Sequence, residues 1–339
     1  MKKLYFLSAL LALLIFTSCD SKMILPNASG AVFEVLVVID DSIWKTPEGK
    51  EVFDLINADM LDVPQKEPMF KMSRVNHAGF DNLLRPARNI LIVEVAPRYT
   101  QPKVSYGKDR WARRQAVVTL TMPSRDGITK LLEENGKKIQ DFFIKSERHT
   151  YQDYLKTSHN SQMENEAFKR FGIEMLIPFE MTNYHYGENF MWVSNGGVKA
   201  RQDLVIYSYP YTSVDNLKLE NLIHKRDSVL KVNIPGPDEG SYMGTELVYH
   251  TPSLNEISLN KAYCAEIHGL WKVMNGGLMG GPFVSHTRID EINNKVITIE
   301  GFVFAPEKDK RNYIRQLEAV LYTVRMPQEV NEVIVQKKK

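Results

Sequence analysis

Glu266, Ile267 and His268 follow one another in a stretch that reads as a strand. Side chains alternate along a strand, so a carboxylate and an imidazole share one face. His286 can approach them across a hairpin. A metal would need a third ligand that the sequence does not name, and the eight histidines include no pair at zinc-helix spacing. Asp40 and Asp41 end the first predicted strand, where acidic groups bind metals, do acid–base work or, more commonly, form turns and caps. Ser161, Ser194 and Ser241 lack a nucleophile elbow. Neither the dinucleotide fingerprint nor the phosphate-loop pattern occurs. Met279-Gly280-Gly281-Pro282-Phe283 reads as a loop whose backbone needs glycine. No catalytic residue, metal site or cofactor is predicted.

The clearest chemistry belongs to Cys19. Lys2 and Lys3 precede an apolar run over residues 4–16, and Thr17 and Ser18 lead into the cysteine. That is the layout of a signal peptide. The run is about 13 residues, roughly 20 Å of helix, short of the ~20 residues a permanent span needs. The ending Phe16-Thr17-Ser18-Cys19 resembles the lipobox of bacterial lipoproteins, with Phe16 where that motif usually has Leu. The resemblance implies a cut before Cys19, a diacylglycerol on its thiol and an acyl chain, palmitate or similar, on the new amine. Each buried CH₂ would add about 0.8 kcal/mol to membrane binding. Ordinary secretion with Cys19 unmodified is the alternative. Asp20 resembles the inner-membrane retention signal of enteric bacteria, and no acidic cluster follows it, so a periplasm-facing protein is expected.

Of 339 residues, roughly 320 would remain, enough for one large domain or two ordinary ones. Without Lys2 and Lys3, the 43 basic residues fall to 41 and match the 41 acidic ones. A balanced chain argues against nucleic acid as a partner. With Cys19 lipidated, Cys264 stands alone, and a small buried residue is the simpler reading than a catalytic thiol.

Around these residues the elements alternate. Residues 19–30 read as a tether after the 1–18 signal peptide. Strands are predicted at 31–39 and 89–95, with Thr46 and Pro47 opening a helix between them. A strand opening at Arg114, then a turn and a helix from Asp126, reads as repeated in kind at Arg201 and Lys295. Val193-Ser194-Asn195-Gly196-Gly197 matches Val273-Met274-Asn275-Gly276-Gly277, each with a Trp just upstream, Trp192 and Trp271. Asn-Gly marks a hairpin turn. A longer loop over 279–294 would reconcile the two spacings. Residues 147–170 read as a second helical stretch. The expected fold is α+β, with antiparallel sheets packed by helices, duplicated strand-hairpin-helix units, and halves at 31–171 and 172–332. Tyr207, Tyr209 and Tyr211 alternate on one strand and read as core more readily than as an exposed stacking face. Trp111 with Arg110, Arg113 and Arg114 forms a small basic-aromatic patch.

Several runs together look familiar. They are Gly269-Leu270-Trp271, Met279 to Phe283, Gly301-Phe302-Val303, Ala305-Pro306, Lys310-Arg311 and Leu317-Glu318, with Pro64-Gln65, Glu67-Pro68, Trp111 and Gln115 upstream. They resemble an uncharacterised lipoprotein family of the Bacteroidetes, a domain of unknown function, over nearly the whole mature chain. The resemblance implies an envelope location and supplies no activity. The expected function is a membrane-anchored, non-catalytic binding or assembly module. Its partners would be the membrane, through the lipid, and an envelope protein or glycan. An envelope hydrolase using Asp40, Asp41, Glu266 or His268 is the alternative.

Overall fold

The computed structural model describes residues 25–331. The signal peptide and Cys19 lie outside the described residues. At the end of the expected tether, Ala28 and Ser29 donate backbone N–H groups to Arg113 and Pro86, so this segment pairs with the body. Extended backbone satisfies its polar groups there.

The first sheet runs β2 (Lys71–Val75), β1 (Glu34–Val38), β3 (Asn89–Val95), β5 (Ala116–Met122), β4 (Lys103–Lys108). Helices α1 (Pro47–Ile56) and α2 (Gly127–Leu155) cover one face. Thr46 caps α1 through the Gly49 N–H, as the Thr-Pro signal predicts. The other face of β1 and β3 packs under Phe80, Leu84 and Trp111. Burial on both faces explains the unbroken apolar runs of β1 and β3. Such runs mark parallel strands, and the pairings β1–β2, β1–β3 and β3–β5 are parallel where antiparallel pairing was expected.

Helix α3 (Ser161–Phe171) follows a break, so the 147–170 stretch is two helices. Asn160 stops the continuation by accepting the Met163 N–H. Met163, Ala167 and Phe171 of α3 pack into the core of the second sheet.

That sheet has eight antiparallel strands. Its order is β10 (Ser253–Leu259), β11 (Ala262–Met274), β12 (Gly280–Asp290), β13 (Lys295–Phe304), β8 (Arg201–Pro210), β7 (Phe190–Ser194), β6 (Asn183–Gly187), with β9 (Tyr242–Thr245) on β11. Helix α5 (Arg311–Leu321) covers the face that carries Leu204 and Ile206. Helix α4 (Leu219–Asn233) covers the face that carries Val205 and Tyr207. The fold is thus α+β, and antiparallel pairing dominates the whole.

Both Asn-Gly-Gly segments are hairpin turns, with Gly196 and Asn275 at positive φ. The two internal matches assign β8 differently, however. By its hairpin β8 corresponds to β12, and by the helix that follows it corresponds to β13. The residues expected to form a longer loop are β12 itself. The two helices also lie on opposite faces, which repetition of one unit does not produce. Gly280 and Gly281 accordingly belong to a strand. A Cβ on Gly281 would stand 2.0 Å from the Val303 carbonyl oxygen, so this close approach requires glycine.

Candidate functional site

Cross-strand register decides the first cluster. Glu266 on β11 stands opposite His286 on β12. Glu266 Oε2 is 3.0 Å from His286 Nε2, and Oε1 is 3.2 Å from His268 Nε2. Tyr322, just past α5, donates its hydroxyl to the same Oε2 at 2.8 Å. Its ring meets the His286 ring edge to face, at 4.8 Å between centroids. The predicted triplet therefore comes together. Both carboxylate oxygens face the histidines and Tyr322 rather than a shared coordination point. Burial would raise the Glu266 carboxyl, but the bonds from His268 and His286 outweigh it and hold the group far below the usual carboxylate range. Burial likewise opposes charge on His268, and the bond to Glu266, with the fields of Glu318 and Asp62, raises it instead.

Tyr322 leads to the seam between the sheets. Arg148 of α2 lays its guanidinium 3.5 Å from the Tyr322 ring centroid and pairs with Glu318 of α5. On the same helix, Glu147 accepts Arg88 through both oxygens, at 3.1 and 2.6 Å, and Asn89 at 2.7 Å. Glu67, from a loop of the first half, accepts the backbone N–H of Lys310 and of Arg311 at 2.8 Å each. A carboxylate there complements the helix N-terminus. Gln65 takes Lys310 Nζ at 2.6 Å, and the Pro68 carbonyl takes Arg311 at 2.7 Å. Residues noted only for a resemblance are the latch between the halves.

Asp40 and Asp41 lie elsewhere, at the end of β1 in the first sheet. Asp40 is 3.0 Å from His77, and Asp41 accepts Arg74 at 2.7 Å. They are not brought to Glu266 and His268, so the acid/His set weighed for hydrolysis is not assembled. Cys264 is buried, and burial pushes its thiol up to about 12. Tyr207 is core and stacks with Tyr209. Trp111 packs on Phe80 with Arg110 across its ring, and Gln115 holds the loop through its backbone. Tyr322 and Arg148 have no signal in the sequence, and Glu318 is marked there only through the resemblance. They arrive from α2, α5 and the residue after α5, which only tertiary packing brings together.

Beside Tyr322 an open groove of about 820 Å³ runs between α2, α3 and the segment after α5. Its charges are cross-paired. Lys156 bonds Asp153 at 2.7 Å, Arg325 lies 3.5 Å from Glu174, and Glu164 takes His159 at 2.9 Å. Burial, with Lys108 and Arg148 nearby, holds His149 below its ordinary value. Phe168 offers an exposed ring in the same groove.

Residues 160–323 match the family model of a domain of unknown function, DUF4837, and residues 28–156 match that of a second, DUF8532. The two matches meet at the break between α2 and α3. No curated protein matches the chain.

Proposed function

We propose that this protein is an envelope lipoprotein, held to a membrane through Cys19, that binds an envelope glycan without chemically altering it. The groove carries the reading. Its charges are already paired, so it offers hydrogen-bonding edges with little net field, and Phe168 adds an aromatic face for the CH side of a sugar ring. The leader ending at Cys19 supports the envelope location, as does the likeness to a Bacteroidetes lipoprotein family. Among the described residues no helix is long and apolar enough to cross a membrane, so the proposed attachment is the lipid. The non-catalytic reading rests on the carboxylates. Asp40 and Asp41 are apart from Glu266, and each is engaged by a basic neighbour.

Titrating the full chain with solubilised cell-wall glycan and with envelope polysaccharide tests this. Saturable binding is expected, weakened roughly tenfold in Phe168→Ala, with the melting temperature unchanged. Absence of binding to either, together with a pull-down from native membranes that recovers the protein alone, would overturn it.

A further inference from the structure

Arg315 of α5 is 9% exposed and, among the described residues, forms no ion pair and no hydrogen bond. Its guanidinium lies 5.1 Å from the Phe33 ring centroid. The nearby acids are committed elsewhere, Glu147 to Arg88 and Glu318 to Arg148. Three guanidiniums thus face two carboxylates. A buried charge without a counter-charge is strongly destabilising unless something supplies one.

A cavity of about 190 Å³ opens at this point, on the seam between α2, α5 and the start of β1. Val32, Phe33, Tyr151 and Tyr154 wall it, and Glu147 lines it beside its partner Arg88. Of the three guanidiniums there, Arg88, Arg148 and Arg315, only Arg315 is without a carboxylate partner among the described residues. Phe33 holds φ at +55°, a region a bulky side chain rarely adopts, and its ring lies beneath the guanidinium. By the same measure it is about a quarter of the volume of the groove beside Tyr322, the space of a small ligand.

We propose that this cavity binds a small organic oxyanion, a carboxylate or phosphate ester with a short apolar body, and that Arg315 takes its charge. The planar fork of a guanidinium matches two oxygens of such a group, and the aromatic walls suit a few carbons. A soluble ester and a phospholipid headgroup share this chemistry. The site stands apart from the glycan groove and rests on different residues.

Isothermal titration of the full chain at constant ionic strength with hexyl phosphate, hexanoate and hexanol tests the proposal. At least one of the anions should saturate a single site, and hexanol should not. Arg315→Met should weaken anion binding about tenfold or more and raise the melting temperature of the ligand-free protein. Val32→Trp fills the cavity mouth, keeps the charge, and should weaken binding too. That variant decides the matter if Arg315→Met does not fold. Vesicles of phosphatidylglycerol that displace hexyl phosphate would assign a lipid headgroup, and failure to displace it a soluble ester. No saturation by either anion, or binding unchanged in Arg315→Met or, where that does not fold, in Val32→Trp, would overturn the site.

Discussion

The Glu67 carboxylate accepts the Arg311 N–H at 2.8 Å across 244 positions of chain, so a loop of one half caps a helix of the other. Glu67 is 2% exposed, and its removal leaves helix N–H groups buried without partners. Glu67→Ala should cost about 1–2 kcal/mol in urea unfolding. Amide exchange at Lys310 and Arg311 should quicken at the same time. An unchanged midpoint with unchanged exchange would show that the latch contributes nothing.

A buried ion pair lies beneath α4. Arg226 meets Glu300 through two bonds, at 2.8 and 2.7 Å, with both side chains almost wholly buried. Glu300→Gln leaves the buried guanidinium with only Asp227, at 3.5 Å, as counter-charge and should cost about 3 kcal/mol. Replacing the pair together, Arg226→Met with Glu300→Leu, should recover most of that loss. A single variant as stable as the parent would mean that the pair is hydrated in solution.

Stability should depend on pH through Glu266 and His268. The Glu266 carboxyl is depressed in the fold, so its contribution is complete above its ordinary value of 4.5 and fades as pH falls toward the folded value. The His268 imidazole is raised, so its contribution is complete below 6.5 and is lost as pH climbs through the folded value. Unfolding free energy should therefore be highest between these ordinary values and decline above neutrality. His268→Gln should shrink the acid-side decline, because the His268 bond does most to lower Glu266, and should flatten the alkaline one. An alkaline decline of equal size in that variant would assign the effect to another group.

The legible parts of this structure are those that local pattern controls. Asn89–Val95 was readable as a strand because its burial on both faces leaves an unbroken apolar run. The Glu266–His286 contact follows from alternation and a hairpin, both visible along the chain. The same runs are compatible with parallel pairing, but an apolar run does not by itself name its partner strand or its direction. Tyr322, Arg148 and Arg315 carry no local signal, since each gains its role from the crossing of α2 and α5. The Glu67 latch was visible only as a resemblance, because a helix cap supplied from 244 residues away has no spacing rule.

The two cysteines allow a decisive measurement of the anchor. Cys19 should carry acyl groups, and Cys264 should be a free, unreactive thiol. Its side chain is wholly buried on β11, and burial pushes it up to about 12, so at pH 8 it remains protonated. Protein extracted from membranes should have the mass of the chain from Cys19 plus its acyl groups, and Cys19→Ser should lose that addition. Iodoacetamide should label neither cysteine in the native protein and one, Cys264, after unfolding. A leaderless chain of unmodified mass that takes two labels when unfolded would make this a free secreted protein. It would remove the membrane from its function while leaving the groove and the Arg315 cavity to be tested on their own terms.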